Sequence, residues 1–458
     1  MPVGLPGFEA VHHVEKGKRQ LVARVVSVLI DAADRFLDKL KGVTEPEEKR
    51  KIMSATGEAG RRGEGIRSDI WVGIELRSAG GIDLELTSRV EPYYGDAIRR
   101  QVLEVLETVG ITDARVEVED AGALPFVIEA RVETAARRAG ADGGDARPEK
   151  TCTVPPPSPR VRLRRSRLYL PGNEPKYFLN AGFYRPDAII LDLEDSVHSE
   201  AKDAARLLVR NALRVIEFGD AERMVRINQL PLGLEDLAAI VPEQPEMILI
   251  PKVETADQVR EVSTTIDTIL GGIGEQRSLW LMPILETALG IENSLEVARS
   301  SERVAALTIG LEDYAADLGV PRSPDGVESM YARKRLVNAA KAAGVQAIDS
   351  VYGQVDDLDW LGAWGERSRQ LGFEGMGCLH PRQIPIIHDR FNPSRAQIER
   401  ALRIVGAFEK AEAEGLGVVS LGSKMVDPPV VKQALRLVDQ ARQLGLMPEE
   451  STSEDSDG

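Results

Sequence analysis

Charged residues recur in this sequence directly after short apolar runs. Asp192, Glu194 and Asp195 close AIILDLED, Arg226 and Asn228 close RMVRIN, and Lys252 and Glu254 close MILIPKVE. Glu286 closes LWLMPILE, Glu312 and Asp313 follow VAALTIGL, and His380 closes EGMGCLH. Apolar runs of this length, bounded by polar residues, read as buried strands. If those strands are parallel, the charges converge on one rim. Carboxylates without a Cys/His cluster are hard oxygen donors and favour Mg2+ or Mn2+ over zinc. Mg2+ takes one or two protein carboxylates and completes its shell with water and substrate oxygens. Glu286 and Asp313, on consecutive strands, suit that role. The competing reading for each is a salt bridge to a rim Arg or Lys, and His380 reads as a supporting or structural residue.

The elements that must position these groups follow from the pattern. From Arg165 onward, SRLYL, AIILDLE, RMVRIN, MILIPKVE, LWLMPILE, VAALTIGLE, VQAIDSV and EGMGCLH alternate mostly with segments of helical length. Such alternation predicts parallel strands with helical crossovers, and eight of them predict a (β/α)8 TIM barrel, with active groups at the strand C-termini. A doubly wound open sheet is the alternative, but no strand is followed by a G-x-G-x-x-G turn. Ahead of the barrel, Ile70–Leu76 and Ile82–Ser88 alternate as strands around Gly80 and Gly81. Tyr94–Val109 carries a helical stripe, and Ala114–Glu119 and Pro125–Glu133 read as two further strands. This predicts a small α+β module of ββαββ order over 63–139. Residues 140–164 are rich in Gly, Ala, Arg and Pro and predict an interdomain linker that lets one module swing relative to the other. Residues 1–62 read as an amphipathic helix (11–41) and a flexible, glycine-rich segment, 165–447 as the barrel with a helical extension, and 448–458 as an acidic, disordered tail.

Bulk properties set the limits. A chain of 458 residues exceeds what one core organises, so more than one domain is expected. Hydrophobic residues at 43% and charged residues at 29% suit a soluble protein. A net charge of -15 argues against nucleic acid, and no apolar run is long enough to span a bilayer. The start, MPVGLPGFEA, lacks the basic and apolar regions of a secretory signal, and two cysteines, Cys152 and Cys378, fit a reducing cytoplasm better than a disulfide framework.

The segments RSRLYLPGNEPKY, AIILDLEDSVHSEAKDAAR, VRIN, PKVE, PILETALGI, TIGLEDYAADLG, CLHPRQI and GSKMVDPP, in this order from about Arg165 to Leu444, resemble the citrate lyase β-subunit family. That family belongs with the HpcH/HpaI aldolases. SDIWVGIEL and YGDAIRRQVLEVLETVGITDARVEVEDAGALPFVIEARVETA resemble the citrate lyase γ subunit, an acyl-carrier protein. The chain therefore resembles two citrate lyase subunits fused.

The resemblance implies a Mg2+-dependent carbon–carbon lyase that cleaves a carrier-bound citryl-thioester to oxaloacetate and acetyl-thioester. It implies Glu286 and Asp313 as metal ligands, with Glu286 and Arg226 at the reacting centre. Arg226 would meet a substrate carboxylate or the developing enolate, since a planar guanidinium suits such oxyanions. Asp427, in GSKMVDPP, matches the family's general base. In relatives that segment reaches a neighbouring subunit, so a homo-oligomer is expected; taken alone, Asp427 reads equally well as the cap of the helix beginning near Pro428. Glu194 and Asp195 are expected at the substrate. The phosphates of the thioester arm need donors, for which Arg167, Pro171, Gly172, Asn173 and Lys176 are the candidates, a glycine turn opening a helix being able to offer backbone N–H groups. The implied partners are the acyl-thioester substrate and an α-type transferase subunit. The family carrier holds a covalent CoA-like group (phosphoribosyl dephospho-CoA) on the first serine of a Glu-Ser-Ser-Asp segment. Here the stretch is Ile66-Arg67-Ser68-Asp69, so that position is Arg67 and attachment is expected at Ser68. The alternatives are a stand-alone lyase for free malyl-CoA or citramalyl-CoA with a vestigial carrier, or a catalytically silent scaffold.

Overall fold

The computed structural model describes residues 55–413, 419–421 and 424–447. The helix expected at 11–41 and the acidic tail lie outside them. Within the segment expected to be flexible, Thr56–Ala59 forms an ordered strand, β1.

The N-terminal module is a four-stranded sheet in the order β1-β2-β4-β3, with β2 Ile70–Leu76, β3 Ile82–Ser88 and β4 Ala114–Asp120. β2 and β3 do not pair across the Gly80-Gly81 turn. β4 lies between them, antiparallel to β2 and parallel to β3. Its burial explains the choice: Ala114, Val116 and Val118 are buried on alternate positions, whereas β3 leaves Asp83, Glu85 and Thr87 exposed and suits an edge. The helix Glu91–Thr108 buries Ile98, Val102, Val105 and Leu106 against the sheet.

The segment read as a final strand, Pro125–Glu133, is instead part of a helix, Pro125–Arg138. Ten of its residues are buried, because it is packed between its own module and the barrel helix Lys202–Val215. A helix buried on most faces shows no clean 3.6-residue stripe, and its β-branched residues imitate a strand. The module therefore runs βββαβα.

The barrel strands are β5 Ser166–Pro171, β6 Ala188–Asp192, β7 Glu222–Arg226, β8 Met247–Ile250, β9 Trp280–Leu285, β10 Ala306–Ile309, β11 Gln346–Ile348 and β12 Met376–Cys378. All pair in parallel in the order β11-β10-β9-β8-β7-β6-β5-β12, and a bridge between Asp349 and Met376 joins the two ends. Inside lie Ile190, Met224, Leu249, Met282, Ile284 and Ile348, so the barrel is filled rather than open. Beyond it, helices Arg395–Ala413 and Pro428–Gln443 pack through Ile404, Val405, Val431 and Val438, joined by the hairpin β13 Val419–Leu421 and β14 Lys424–Val426. No helix among the described residues is long and apolar enough to cross a membrane.

The segment between the modules carries no helix or strand, but it is bound along its length. The backbone N–H groups of Thr151 and Cys152 both donate to the Arg214 carbonyl at 3.1 Å. The Arg214 guanidinium donates to the Pro148 carbonyl at 2.7 Å, and Ser158 donates to Glu222 at 2.6 Å. The linker is laid down on the barrel rather than left free.

Candidate active site

The site is the rim formed by the C-terminal ends of β5 to β10. Asp192 is the last residue of β6 and Arg226 the last of β7, paired neighbours in the sheet. Arg226 donates from Nε to Asp192 Oδ1 at 2.6 Å and from Nη2 to Oδ2 at 2.7 Å. Its Nη1 lies 2.8 Å from Glu194 Oε2 and 3.3 Å from Asp195 Oδ2. The guanidinium stands 5.3 Å from the Tyr169 ring centroid. Burial raises the cost of an Asp192 charge, but the Arg226 guanidinium outweighs it and holds the carboxyl below its usual value. The same pairing outweighs burial at Arg226 and keeps it cationic.

Glu286 follows β9 and is 2% exposed. Its Oε1 accepts the Lys252 backbone N–H at 2.7 Å. Its Oε2 lies against Gly310, where an added Cβ would stand 2.1 Å from it. Gly310 precedes the helix Leu311–Asp317, whose first turn carries Asp313. The Thr-Ile-Gly-Leu-Glu-Asp segment thus brings one acid in and leaves room for another. Lys252, in the left-handed region at φ 49°, points its Nζ to within 3.4 Å of Asp313, 3.8 Å of Glu194 and 4.0 Å of Asp195.

Five carboxylates (Asp192, Glu194, Asp195, Glu286 and Asp313) therefore face three cations: Arg226, Lys252 and Lys202, whose Nζ donates to the Leu193 and Glu194 carbonyls. The excess shows in the protonation. Burial, reinforced by the Asp313 and Glu194 charges, pushes the Glu286 carboxyl up to about 8, and burial followed by Asp195 raises Glu194. A divalent cation would relieve this excess, and the donors are hard oxygens. Among the described residues no group of three or more His, Cys, Asp or Glu is arranged as a cage, and Mg2+ does not require one.

The other expected residues fall in different places. Arg167 is 1% exposed inside the barrel, donating to Met282 Sδ and Thr308 Oγ1 at 3.0 Å and to the Asp349 carbonyl at 3.2 Å. It is not at the mouth as a phosphate donor: alternation along β5 turns Arg167 inward beneath Tyr169. The Gly172 N–H donates to the Asp192 carbonyl at 2.7 Å, so that amide is committed. An added Cβ there would meet the same oxygen at 2.5 Å. Asn173 accepts through its carbonyl from Arg61 and Arg131 of the N-terminal module, at 3.0 and 3.1 Å. Lys176 is half-exposed beside Glu174 at 3.3 Å and lines a cleft of about 630 Å3 with Pro171, Tyr169, Tyr177, His380 and Arg382. Asp427 is exposed at the start of helix Pro428–Gln443 and makes no side-chain capping bond. Ser68 sits at φ 56°, its N–H donating to the Ala121 carbonyl at 3.1 Å. Tyr169 and Gly310 were not singled out from the sequence. A glycine two residues ahead of the Glu312-Asp313 pair is the available signal for Gly310; Tyr169 has none beyond its parity in β5.

The family model of the HpcH/HpaI aldolase/citrate lyase family matches residues 165–381, and that of the malonate decarboxylase delta subunit, an acyl-carrier model, matches 63–139. The citrate lyase subunit beta of Haemophilus influenzae is 37% identical over 285 residues, 62% of this chain and 98% of that protein. The chain belongs to the HpcH/HpaI aldolase/citrate lyase family. Its barrel is accordingly a carbon–carbon lyase of the oxo-acid type. The human mitochondrial citramalyl-CoA lyase is 32% identical over 290 residues, 61% of this chain and 85% of that protein. Among solved structures, the CitE protein of Mycobacterium tuberculosis in complex with magnesium, acetoacetate and coenzyme A is 28% identical with a TM-score of 0.51, covering 62% of this chain and 99% of that one. The family match spans every rim residue described above, from Asp192 to Asp313.

Proposed function

We propose that the chain cleaves a citryl-thioester, carried on its own N-terminal module, to oxaloacetate and acetyl-thioester. The observation that carries this reading is the acid-rich rim: Glu286 and Asp313 share a site whose five carboxylates outnumber the three cations Arg226, Lys252 and Lys202. Glu286 and Asp313 would hold Mg2+. When bound, the ion supplies Lewis-acid polarisation of the oxygen that becomes the keto group. The crystallised CitE relative bound with magnesium and coenzyme A supports this choice of ion and ligand class.

The protein's own groups do the rest. Arg226, fixed by Asp192, receives a substrate carboxylate; the arriving anion exchanges with Asp195, which is half-exposed. A base takes the proton from the substrate hydroxyl. The bond between that carbon and the thioester's α-carbon then breaks, its electron pair passes into the thioester enolate, and protonation of the enolate gives the acetyl-thioester. Asp427 of a second copy is our candidate base, because its carboxylate caps nothing in its own helix. Ser68 would carry the CoA-like arm, and a separate α-type transferase would reload it in the cytoplasm. The likeness to citramalyl-CoA lyase, together with the open cleft at Lys176 and His380, favours as a second reading the cleavage of a free CoA thioester. Intact mass after co-expression with arm-attaching enzymes separates them. Mass added to the parent and absent in Ser68→Ala supports the carrier reading; an unmodified chain that turns over free thioester supports the second.

A further inference from the structure

The N-terminal module and the barrel meet through polar groups buried by that contact. Arg210 and Asn211 of helix Lys202–Val215 are 2% and 0% exposed, and Glu133 of helix Pro125–Arg138 is 0% exposed. Arg210 Nη2 donates to Glu133 at 2.6 Å, and Asn211 Nδ2 donates to the Phe126 carbonyl at 3.1 Å. At the edge, Arg138 Nε donates to Asp203 at 2.8 Å. Separating the modules would break each of these, and redocking would have to desolvate the charges again.

At one end of this contact a short chain of bonds runs from Ser68 to the rim. Asp69, the next residue, is 2% exposed and accepts from Arg131 Nε at 2.9 Å and Nη2 at 3.0 Å. The same Nη2 donates to the Asn173 carbonyl at 3.1 Å. Asp69 Oδ2 and that carbonyl therefore lie within about 6 Å of each other. Arg61 donates to the same carbonyl at 3.0 Å and pairs with Glu174. Two residues back, Pro171 is the sheet partner of Asp192, which holds Arg226. Every link between the Ser68 segment and the catalytic arginine is a hydrogen bond or a peptide.

We propose that the carrier module works from this fixed dock. Arg131 is the positioning residue that sets the Ser68 segment against the Pro171–Glu174 turn, and the attached arm alone moves. The proposal rests on the reading that Ser68 bears a thioester arm, and it replaces a swinging carrier with a built-in one. The laid-down linker agrees, since the bonds of Thr151, Cys152 and Arg214 would have to break for the module to swing.

The test uses the full, arm-bearing chain with two substrates, the arm-linked citryl-thioester and free citryl-CoA. Arg138→Cys with Asp203→Cys replaces an ion pair across the dock, and a short bis-maleimide, applied while the arm's thiol is capped as its acetyl-thioester, can bridge the pair by addition of both thiols; native Cys152 and Cys378 are buried. The bridged protein is expected to keep arm-linked turnover within about twofold, because a bound geometry already suited to reaction loses nothing on being locked. Arg131→Gln is expected to lower kcat on the arm-linked substrate by about 10–100-fold, the effect of an ångström-scale misplacement, with kcat and KM for free citryl-CoA unchanged. Arg131→Lys, which keeps one charged donor, should recover part of the loss. A bridged protein that cleaves free citryl-CoA but no longer turns over its own arm would overturn the fixed dock. So would a chain that cleaves free citryl-CoA yet never bears an arm at Ser68, and that result would leave the lyase reading standing. A parent chain inactive on both substrates would sink the lyase reading itself, and the dock with it.

Discussion

Gly310→Ala is the sharpest single-atom perturbation of the rim. The residue's φ is -103°, so alanine fits the backbone there without strain. The obstacle is Glu286: the new methyl would stand 2.1 Å from its Oε2 and 2.8 Å from its Cβ. Contacts this short force the carboxylate aside, and overpacking of this kind costs about 1–3 kcal/mol in stability. Function should suffer more. A ligand moved by about 1 Å commonly costs on the order of 100-fold in rate, so kcat should fall by about that much and the Mg2+ concentration needed for half-maximal activity should rise. Gly406→Ala is the matched control. It lies within helix Arg395–Ala413 with nothing near its missing Cβ, and should gain about 0.5–1 kcal/mol while leaving kcat and Mg2+ dependence alone. Thermal melts and Mg2+ titrations of both variants make the comparison. If Gly310→Ala kept wild-type Mg2+ dependence and kcat, Glu286 would not be acting as a metal ligand from this position.

Arg226→Lys should reduce kcat by about 100-fold, because a point charge cannot reproduce the two parallel bonds to Asp192 while also reaching Glu194; a loss under threefold would argue that the guanidinium does not touch substrate. Stability should depend on acid through Asp187, where burial opposes ionisation but the bonds from Arg165 outweigh it and hold the carboxyl below its usual value. A depressed folded-state pKa stabilises above the unfolded value of about 3.9 and is lost as pH falls through the folded one, so the Asp187 contribution should be level from about pH 5 upward and lost below about pH 4. The Glu286 carboxyl, pushed up to about 8, works the other way and lowers stability as pH rises toward 8. Arg165→Gln leaves the Asp187 carboxylate buried without its cation, so its folded-state value rises, the melting temperature near neutral pH should fall, and the acid drop contributed by Asp187 should shrink or reverse; an unchanged acid limb would contradict the pairing.

Much of the rim was legible because one rule places it. Asp192, Arg226, Glu286 and Asp313 each follow a buried apolar run, and in a parallel barrel all such positions share one end. What depends on contacts across the chain was not legible. Arg167 reads as one more residue beside a glycine turn, yet strand parity sends it inside the barrel. Helix Pro125–Arg138 has the β-branched look of a strand because the barrel covers the face that solvent would otherwise mark as polar. β4 separates β2 from β3 for want of any local signal that a later strand would take the centre. The dock is held by arginines reaching backbone carbonyls, as Arg131 does at Asn173, and such bonds leave no trace in residue spacing.

The most direct test of the central claim is thioester cleavage by the intact chain with citryl-, citramalyl- and malyl-CoA, with and without Mg2+, scoring the 2-oxo acid released. The account predicts oxaloacetate and an acetyl-thioester from the citryl substrate, dependent on Mg2+ and abolished in Glu286→Gln and Asp313→Asn. Release of free thiol without a 2-oxo acid, or full activity in chelator, would contradict it.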